Sequence, residues 1–275
     1  MGKETGRALM SVAAESSFTL RFLGTGTSVG VPMIGCACPV CTSTDPHDRR
    51  RRSSVYLSLN GQGVLIDAGP DLREQCLQWK VPRIDAIFIT HLHADHIFGF
   101  DDVRRFNTLQ SDQIISCFGG PDTIAGMHRI FNYITERPTV GLYRPLIRFV
   151  PVEAPFDELG AHWTPLPVLH GNDETNGLRI DFNGHSVAYI PDVHRIPEDT
   201  LAHLQKLDVL ILNTLRLREH PTHLTLDAAL AYIRQLAPKR AFLTHLSHDL
   251  THAQLSALLP SGVEAAYDGL ELIVH

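Results

Sequence analysis

Four metal-competent side chains fall within six residues of this 275-residue chain, in His91-Leu-His-Ala-Asp-His96, directly after the apolar run Ile87-Phe-Ile89. Imidazoles and carboxylates are costly to place beside a buried strand unless something satisfies them. The run therefore restricts the chain to folds in which a strand end opens on a polar site. His91 and His93 are expected to point the same way from that strand end. Asp95 and His96 then begin a turn or helix aimed at the same volume. Neutral ring nitrogens with hard carboxylate oxygens suit a pair of divalent ions, Zn, Mn or Fe. The chain carries 16 histidines against 2 Trp and 6 Tyr, so a concentrated site accounts for part of an unusual composition.

Further ligand-type residues at strand ends should converge on the same place, because loops at one edge of a sheet meet there. Three fit this pattern: His170 closes Leu166-Pro-Val-Leu-His170, Asp192 closes Val187-Ala-Tyr-Ile-Pro-Asp192, and His245 closes Ala241-Phe-Leu-Thr-His245. Strand-like runs recur at 18–23, 54–59, 64–67, 86–90, 114–118, 147–151, 178–182, 186–190, 209–213, 241–244 and 270–274. Helical patterns lie at 71–79, 121–133, 197–205 and 225–236, the last with Thr225 as a candidate cap. Without repeats or a Pro/Ser-rich linker, the pattern predicts one layered α/β domain over 18–275. Residues 1–17 are small and polar and are expected to be a flexible extension, with Met10 as an alternative start. The loop Gly24-Thr-Gly-Thr-Ser-Val-Gly30 is superficially similar to a dinucleotide loop, but no acidic residue follows at the required offset.

Composition narrows the partners. A 44% hydrophobic content allows a sizeable core. With 24 Lys+Arg against 30 Asp+Glu the net charge is −6, which argues against a nucleic-acid or membrane-surface partner. No segment reaches the roughly 18 uninterrupted apolar residues of a membrane span, and the expected location is the cytoplasm. Of the 5 cysteines, Cys36, Cys38 and Cys41 lie too close together for a disulfide framework and suit a metal clip. Cys76 and Cys117 sit in apolar segments as ordinary buried thiols.

The run His91, His93, Asp95 and His96 matches the His-x-His-x-Asp-His motif, and in this the chain resembles the metallo-β-lactamase superfamily. Asp67 in Leu65-Ile-Asp-Ala-Gly69, His170, Asp192 and His245 match its other positions. The resemblance runs from about Phe18 to the C-terminus. It implies an αββα four-layer sandwich with a dinuclear site at the sheet edges. By that pattern His91, His93 and His170 hold one metal, Asp95, His96 and His245 the other, with Asp192 bridging and Asp67 orienting the site from behind. Where the classical lactamases have cysteine this chain has Asp192, and in this it resembles the phosphodiesterase-like and RNase-Z-like branches.

Cys36, Cys38 and Cys41 lack a fourth ligand, and His248 in His245-Leu-Ser-His248 is the natural candidate. The chain is similar here to the PhnP-like phosphodiesterases of phosphonate catabolism, which carry a structural zinc on three such cysteines and a histidine. Gly26, Gly30, Pro32 and Tyr267-Asp268-Gly269 extend that match. The implied activity is hydrolysis of small phosphodiesters, including cyclic ones such as a phosphoribosyl 1,2-cyclic phosphate. Two metals would lower the pKa of a bound water and so supply hydroxide at neutral pH. His223 is the candidate general acid, with His220 as its competitor. The alternatives are an RNase-Z-like nuclease and a non-catalytic metal-binding accessory protein of cofactor biosynthesis. Relatives suggest a homodimer. The basic run Arg49–Arg52 is a candidate contact for a second substrate phosphate. Arg216, Arg218, Asp71, Asp101 and Asp102 are weaker candidates for outer contacts.

Overall fold

The computed structural model describes residues 17–135 and 143–275. Of the expected N-terminal extension, residues 1–16 lie outside the described residues. One sheet contains β1 (Phe18–Gly24), β2 (Ser54–Leu59), β3 (Gln62–Ile66), β4 (Ala86–Phe88), β5 (Ile115–Gly119) and β6 (Ile147–Pro151). The second contains β7 (Phe156–Glu158), β8 (Ala161–His170), β9 (Asp173–Phe182), β10 (His185–Ile190), β11 (Val209–Asn213), β12 (Arg240–Thr244) and β13 (Val263–Ala265). A last strand, β14 (Glu271–Val274), returns to the first sheet, so the strand orders are 14-1-2-3-4-5-6 and 13-12-11-10-9-8-7.

Alternation along the strands sorts the apolar side chains into three cores. Val55, Leu57, Val64, Ile66, Phe88, Ile180, Val187, Tyr189, Ile211 and Phe242 meet between the two sheets. Leu65, Ile87, Ile89 and Cys117 face outward from the first sheet. There they pack under α1 (Leu72–Trp79), α3 (Arg104–Leu109), α4 (Pro121–Ile130) and α5 (Asn132–Thr135), with the short α2 (Ala94–Ile97) at the sheet's end. Ala188, Ile190, Leu210, Leu212 and Leu243 face outward from the second sheet, under α6 (Glu198–His203), α7 (Leu226–Leu236) and α8 (His252–Leu258). Strands with both faces buried are what their continuously apolar runs require, each such side chain adding about 1.5–3 kcal/mol. The result is the expected four-layer αββα sandwich.

Some elements depart from the sequence expectation for identifiable reasons. The strand that His170 closes is longer than the run before it suggests, reaching back to Ala161 through Pro165 and Pro167. The pairing of β7 ends at Phe156↔Trp163, so the prolines fall on the uncovered edge, where no amide proton is needed. The helix expected over 121–133 breaks at Phe131 and resumes as α5. Thr225 does cap α7, its hydroxyl accepting from the Ala228 amide at 3.2 Å. The helices over 104–109 and 252–258, the latter with a capping box between Thr251 and Gln254, lack a sequence signal strong enough to stand out.

Topology gathers the site. Strands β3 to β6 are mutually parallel, and so are β10 to β13. Strand β8 is antiparallel to β9, which is antiparallel to β10, so β8 ends on the same side as β10. Asp67, His91, His170, Asp192, Asn213 and His245 therefore all emerge at carboxyl ends of strands, along one edge of the sandwich.

Candidate metal centre

The loop after β4 places His91 in the buried edge and leaves His93 exposed, with His91 Nε2 and His93 Nδ1 2.9 Å apart. Asp95 and His96 occupy the first turn of α2 and are both buried. Gly69 lets that turn close down: a Cβ there would lie 2.0 Å from the Asp95 carbonyl oxygen. His91, His93, His170 and Asp192 present ligand atoms within 4.8 Å of one another, as do Asp95, His96, Asp192 and His245. Asp192 belongs to both groups. Its Oδ2 lies 3.4 Å from His91 Nε2, 3.5 Å from His96 Nε2 and 3.6 Å from His170 Nε2. Its Oδ1 lies 3.0 Å from His245 Nε2.

The residues fit a cation. His96 Nε2, Asp192 Oδ1 and His245 Nε2 are buried and lie close to one another's groups, yet none makes a hydrogen bond among the described residues, and such atoms are costly unless something coordinates them. Burial alone would keep His96 neutral, but Asp67 and Asp192 raise its pKa well above the ordinary value. Burial would raise the Asp192 carboxyl, yet His245 and His96 hold it well below the usual range. Positive charge is favoured at the centre of this cluster. His91, by contrast, is pushed well down by burial and by His96, leaving it the neutral base a metal requires.

Surrounding groups fix which nitrogen of each ring is free. Asp67 Oδ2 takes His96 Nδ1 at 2.7 Å, and Asp67 Oδ1 accepts from the Thr90 amide at 2.9 Å. The Thr222 carbonyl can only accept, so the 2.8 Å bond from His170 Nδ1 puts the proton there and leaves Nε2 with its lone pair. His223 has the opposite arrangement. Asn213 Oδ1 accepts from the Leu224 amide, which turns Asn213 Nδ2 toward His223 Nδ1 at 3.1 Å. His223 therefore carries its proton on Nε2. Its ring lies 4.7 Å from those of both His170 and His245. Burial and His245 push its pKa down to about 2. Asn213, Thr90 and His194 are site residues that the sequence reading missed.

The basic run divides by alternation because it is extended. Arg50 is buried, donating to the Ser247 and Leu250 carbonyls, the second at 2.9 Å, so it braces the loop that follows His245. Arg52 pairs with Asp71 at 2.9 Å. Arg49 and Arg51, with part of Arg50, line a surface cleft beside Tyr267 and Trp79, and that cleft shares no lining residue with the openings at His93 and His223. The run as a block is thus not a phosphate contact at the metal cluster. Arg216 donates to the Glu219 carbonyl and Arg218 reaches Asp249, so both brace loops. Asp101 pairs with Arg104 and Tyr133, and Asp102 lines a groove under α1. Asp268 fastens the exit of β1: it accepts from the Thr25 and Arg51 amides, and burial pushes its pKa up to about 7.

The three thiols do form a clip around His248. The Sγ atoms of Cys36, Cys38 and Cys41 lie 3.4, 3.3 and 3.5 Å from His248 Nδ1. Zinc bonds of about 2.3 Å to sulfur and 2.0–2.1 Å to nitrogen, at tetrahedral angles, give S···N edges of about 3.5 Å. All three cysteines are free thiols. The Cys41 amide and His248 lower the Cys38 pKa to about 6, while burial raises Cys41 to about 11. A cation is what would let all three be thiolates together.

Comparison with known proteins agrees with this geometry. A family described as the beta-lactamase superfamily domain matches residues 62–246. The chain is 33% identical over 258 residues to the octanoyltransferase of Porphyromonas gingivalis, which covers 92% of this chain but only 51% of that protein. It thus spans about half the length of that relative. The coenzyme PQQ synthesis protein B of Xanthomonas campestris is 26% identical over 91% of this chain and 98% of its own. Among solved structures, a diphosphatase from the PhnP family is 40% identical, with a TM-score of 0.86 over 94% of this chain and 97% of its own. The zinc-bound PqqB of Methylobacterium extorquens, at 22% identity and a TM-score of 0.75 over 92% of this chain and 99% of that one, shares the fold. Among the described residues, no helix is long and apolar enough to cross a membrane.

Proposed function

The chain belongs to the beta-lactamase superfamily, and from that premise we propose that it is a metal-dependent hydrolase of small phosphodiester-type substrates. The observation that carries this reading is the Asp192 carboxylate, shared by two neighbouring ligand groups made otherwise of imidazoles and one further carboxylate. Hard oxygen ligands and a paired site suit phosphoryl oxygens, and the PhnP-family diphosphatase supports the phosphate class. His91, His93 and His170 would hold one divalent ion, Asp95, His96 and His245 a second, with Asp192 between them. Zn and Mn are the expected ions, with Fe as a third candidate. When bound, such ions supply Lewis acidity toward a phosphoryl oxygen and a lowered water pKa.

The protein's own groups do the rest. Asp67 and the Thr222 carbonyl keep His96 and His170 turned with Nε2 toward the cluster. Asn213 holds a neutral His223 with its proton on Nε2, so His223 would serve a departing oxygen as a hydrogen-bond donor and not as the general acid expected from the sequence. Cys36, Cys38, Cys41 and His248 would hold a structural zinc that fixes the loop after His245. In the nuclease alternative an acidic chain of net charge −6 would have to hold a polyanion, which disfavours it.

The test is turnover of bis(p-nitrophenyl) phosphate by the full chain, with and without added Mn or Zn, alongside His91→Ala. Metal-dependent turnover lost in the variant is the expected result. Metal binding without turnover would favour an accessory protein instead. His223→Ala should slow esters with alkyl leaving groups by about 10²-fold, and nitrophenyl esters much less, because nitrophenolate leaves without help. Equal losses on both would remove His223 from the leaving-group side.

A further inference from the structure

Beside the metal cluster lie two openings of about 490 and 460 Å³ that share His194 and Pro221, and so form one continuous cleft. Three histidines on its walls are held in the same way. His194 Nδ1 accepts from the Gly171 amide at 3.1 Å. His220 Nδ1 accepts from the Thr222 amide at 3.3 Å and sits 3.1 Å from the Thr222 hydroxyl. His223 Nδ1 accepts from Asn213. A neutral imidazole that accepts at one nitrogen must carry its proton on the other. Each of the three is thus a fixed Nε2–H donor, whereas His170, held by the Thr222 carbonyl, is a fixed acceptor. Thr222 divides the roles: its carbonyl makes His170 a ligand and its amide makes His220 a donor.

We infer that His194, His220 and His223 form a cradle for a second phosphoryl group on the leaving side of the substrate, which makes the substrate a diester of diphosphate. This rests on the hydrolase reading above. Preorganised N–H donors that need no reorientation suit an anion with several acceptor oxygens. Two carboxylates share this lining, Glu219 and Asp173; both are exposed, and their repulsion is weakened by water. In the step, one phosphorus gains a bond to a water oxygen and loses its bond to the bridging oxygen. That oxygen leaves with the bonding pair as part of a phosphomonoester. One water proton stays on the new monoester and the other is released to solvent or to the leaving phosphate. A phosphate leaves as a stable anion, so hydrogen bonds suffice where an alkoxide would need a proton.

The test uses the full chain loaded with Mn, ADP-ribose as the diphosphate diester and bis(p-nitrophenyl) phosphate as the single-phosphate diester. His194→Ala and His220→Ala should each lower the ratio of kcat/KM for ADP-ribose to that for bis(p-nitrophenyl) phosphate by about 10-fold. His194→Gln, which restores an N–H donor, should recover part of it. Calorimetry with α,β-methylene-ADP should show about 10-fold weaker binding in His194→Ala, and a smaller change for AMP. A wild-type protein that cleaves the nitrophenyl ester but binds α,β-methylene-ADP no better than AMP would overturn the cradle and leave the hydrolase reading intact. If neither ester is cleaved, the hydrolase reading fails, and loss of α,β-methylene-ADP binding in His194→Ala would still support the cradle.

Discussion

Asp192→Ala should abolish metal-dependent turnover of bis(p-nitrophenyl) phosphate, with a loss of about 10³-fold or more. Removing a single preorganised electrostatic donor costs roughly 10²–10³-fold, and Asp192 stands in both ligand groups rather than one. Its two oxygens face His91, His96, His170 and His245 at 3.0 to 3.6 Å, so its removal leaves four imidazoles around a space with one carboxylate fewer. Asp192→Asn separates shape from charge. It preserves volume but presents a neutral oxygen and an N–H donor toward ring nitrogens that must themselves donate electron pairs, so it should fail nearly as badly. Metal analysis supplies the second readout: each variant should hold at least one catalytic ion fewer than the wild type. His93→Ala gives the contrast, because His93 is exposed and belongs to one group. It should lose less activity than Asp192→Ala. Activity within 10-fold of wild type in Asp192→Ala, with metal content unchanged, would remove the carboxylate from the junction.

The contrast between these residues and the ones the sequence did not reveal has a physical basis. His91, His170, Asp192 and His245 each follow an apolar run, and a buried strand ending in a ligand-type side chain is a local signal. The parallel arrangement of those strands does the gathering, so knowing the four-layer fold was enough to place the residues together. The roles of Asn213, His194 and Thr222 depend on backbone groups far away in sequence. The Gly171 amide holds His194 across 23 residues and the Thr222 carbonyl holds His170 across 52. Asn213 closes an apolar run as an ordinary polar residue would, and nothing nearby distinguishes it. The basic run misled in the opposite direction. Four adjacent charges suggest one surface, but in an extended segment neighbours point apart, which buried Arg50 and left Arg51 facing a separate cleft.

Replacing Cys36, Cys38 and Cys41 together by Ala should remove one zinc per chain, retain the two catalytic ions and lower Tm by about 8–16 °C. The size follows from linkage. An ion held at about 1,000 times its dissociation constant stabilises the native state by about 4 kcal/mol, and each kcal/mol shifts Tm by about 2–4 °C for chains of about 150–250 residues. The structure shows why the loss should be felt beyond the clip. The clip ties the segment 33–41 to His248, three residues after His245, and Arg50 holds the same loop through the Ser247 and Leu250 carbonyls. With the thiols gone, the Arg50 contacts and the pairing of Gly26 with Leu246 still anchor the loop, so the catalytic ions should remain while His245 is held less firmly. Turnover should accordingly fall by about 10-fold, within the range for losing a group that orients a ligand. Cys117→Ala is the control: that thiol lies in β5, buried under the helices of the first sheet and outside the clip, and its loss should leave zinc content unchanged. Unchanged zinc in the triple variant would mean that the three thiols and His248 converge without holding a metal.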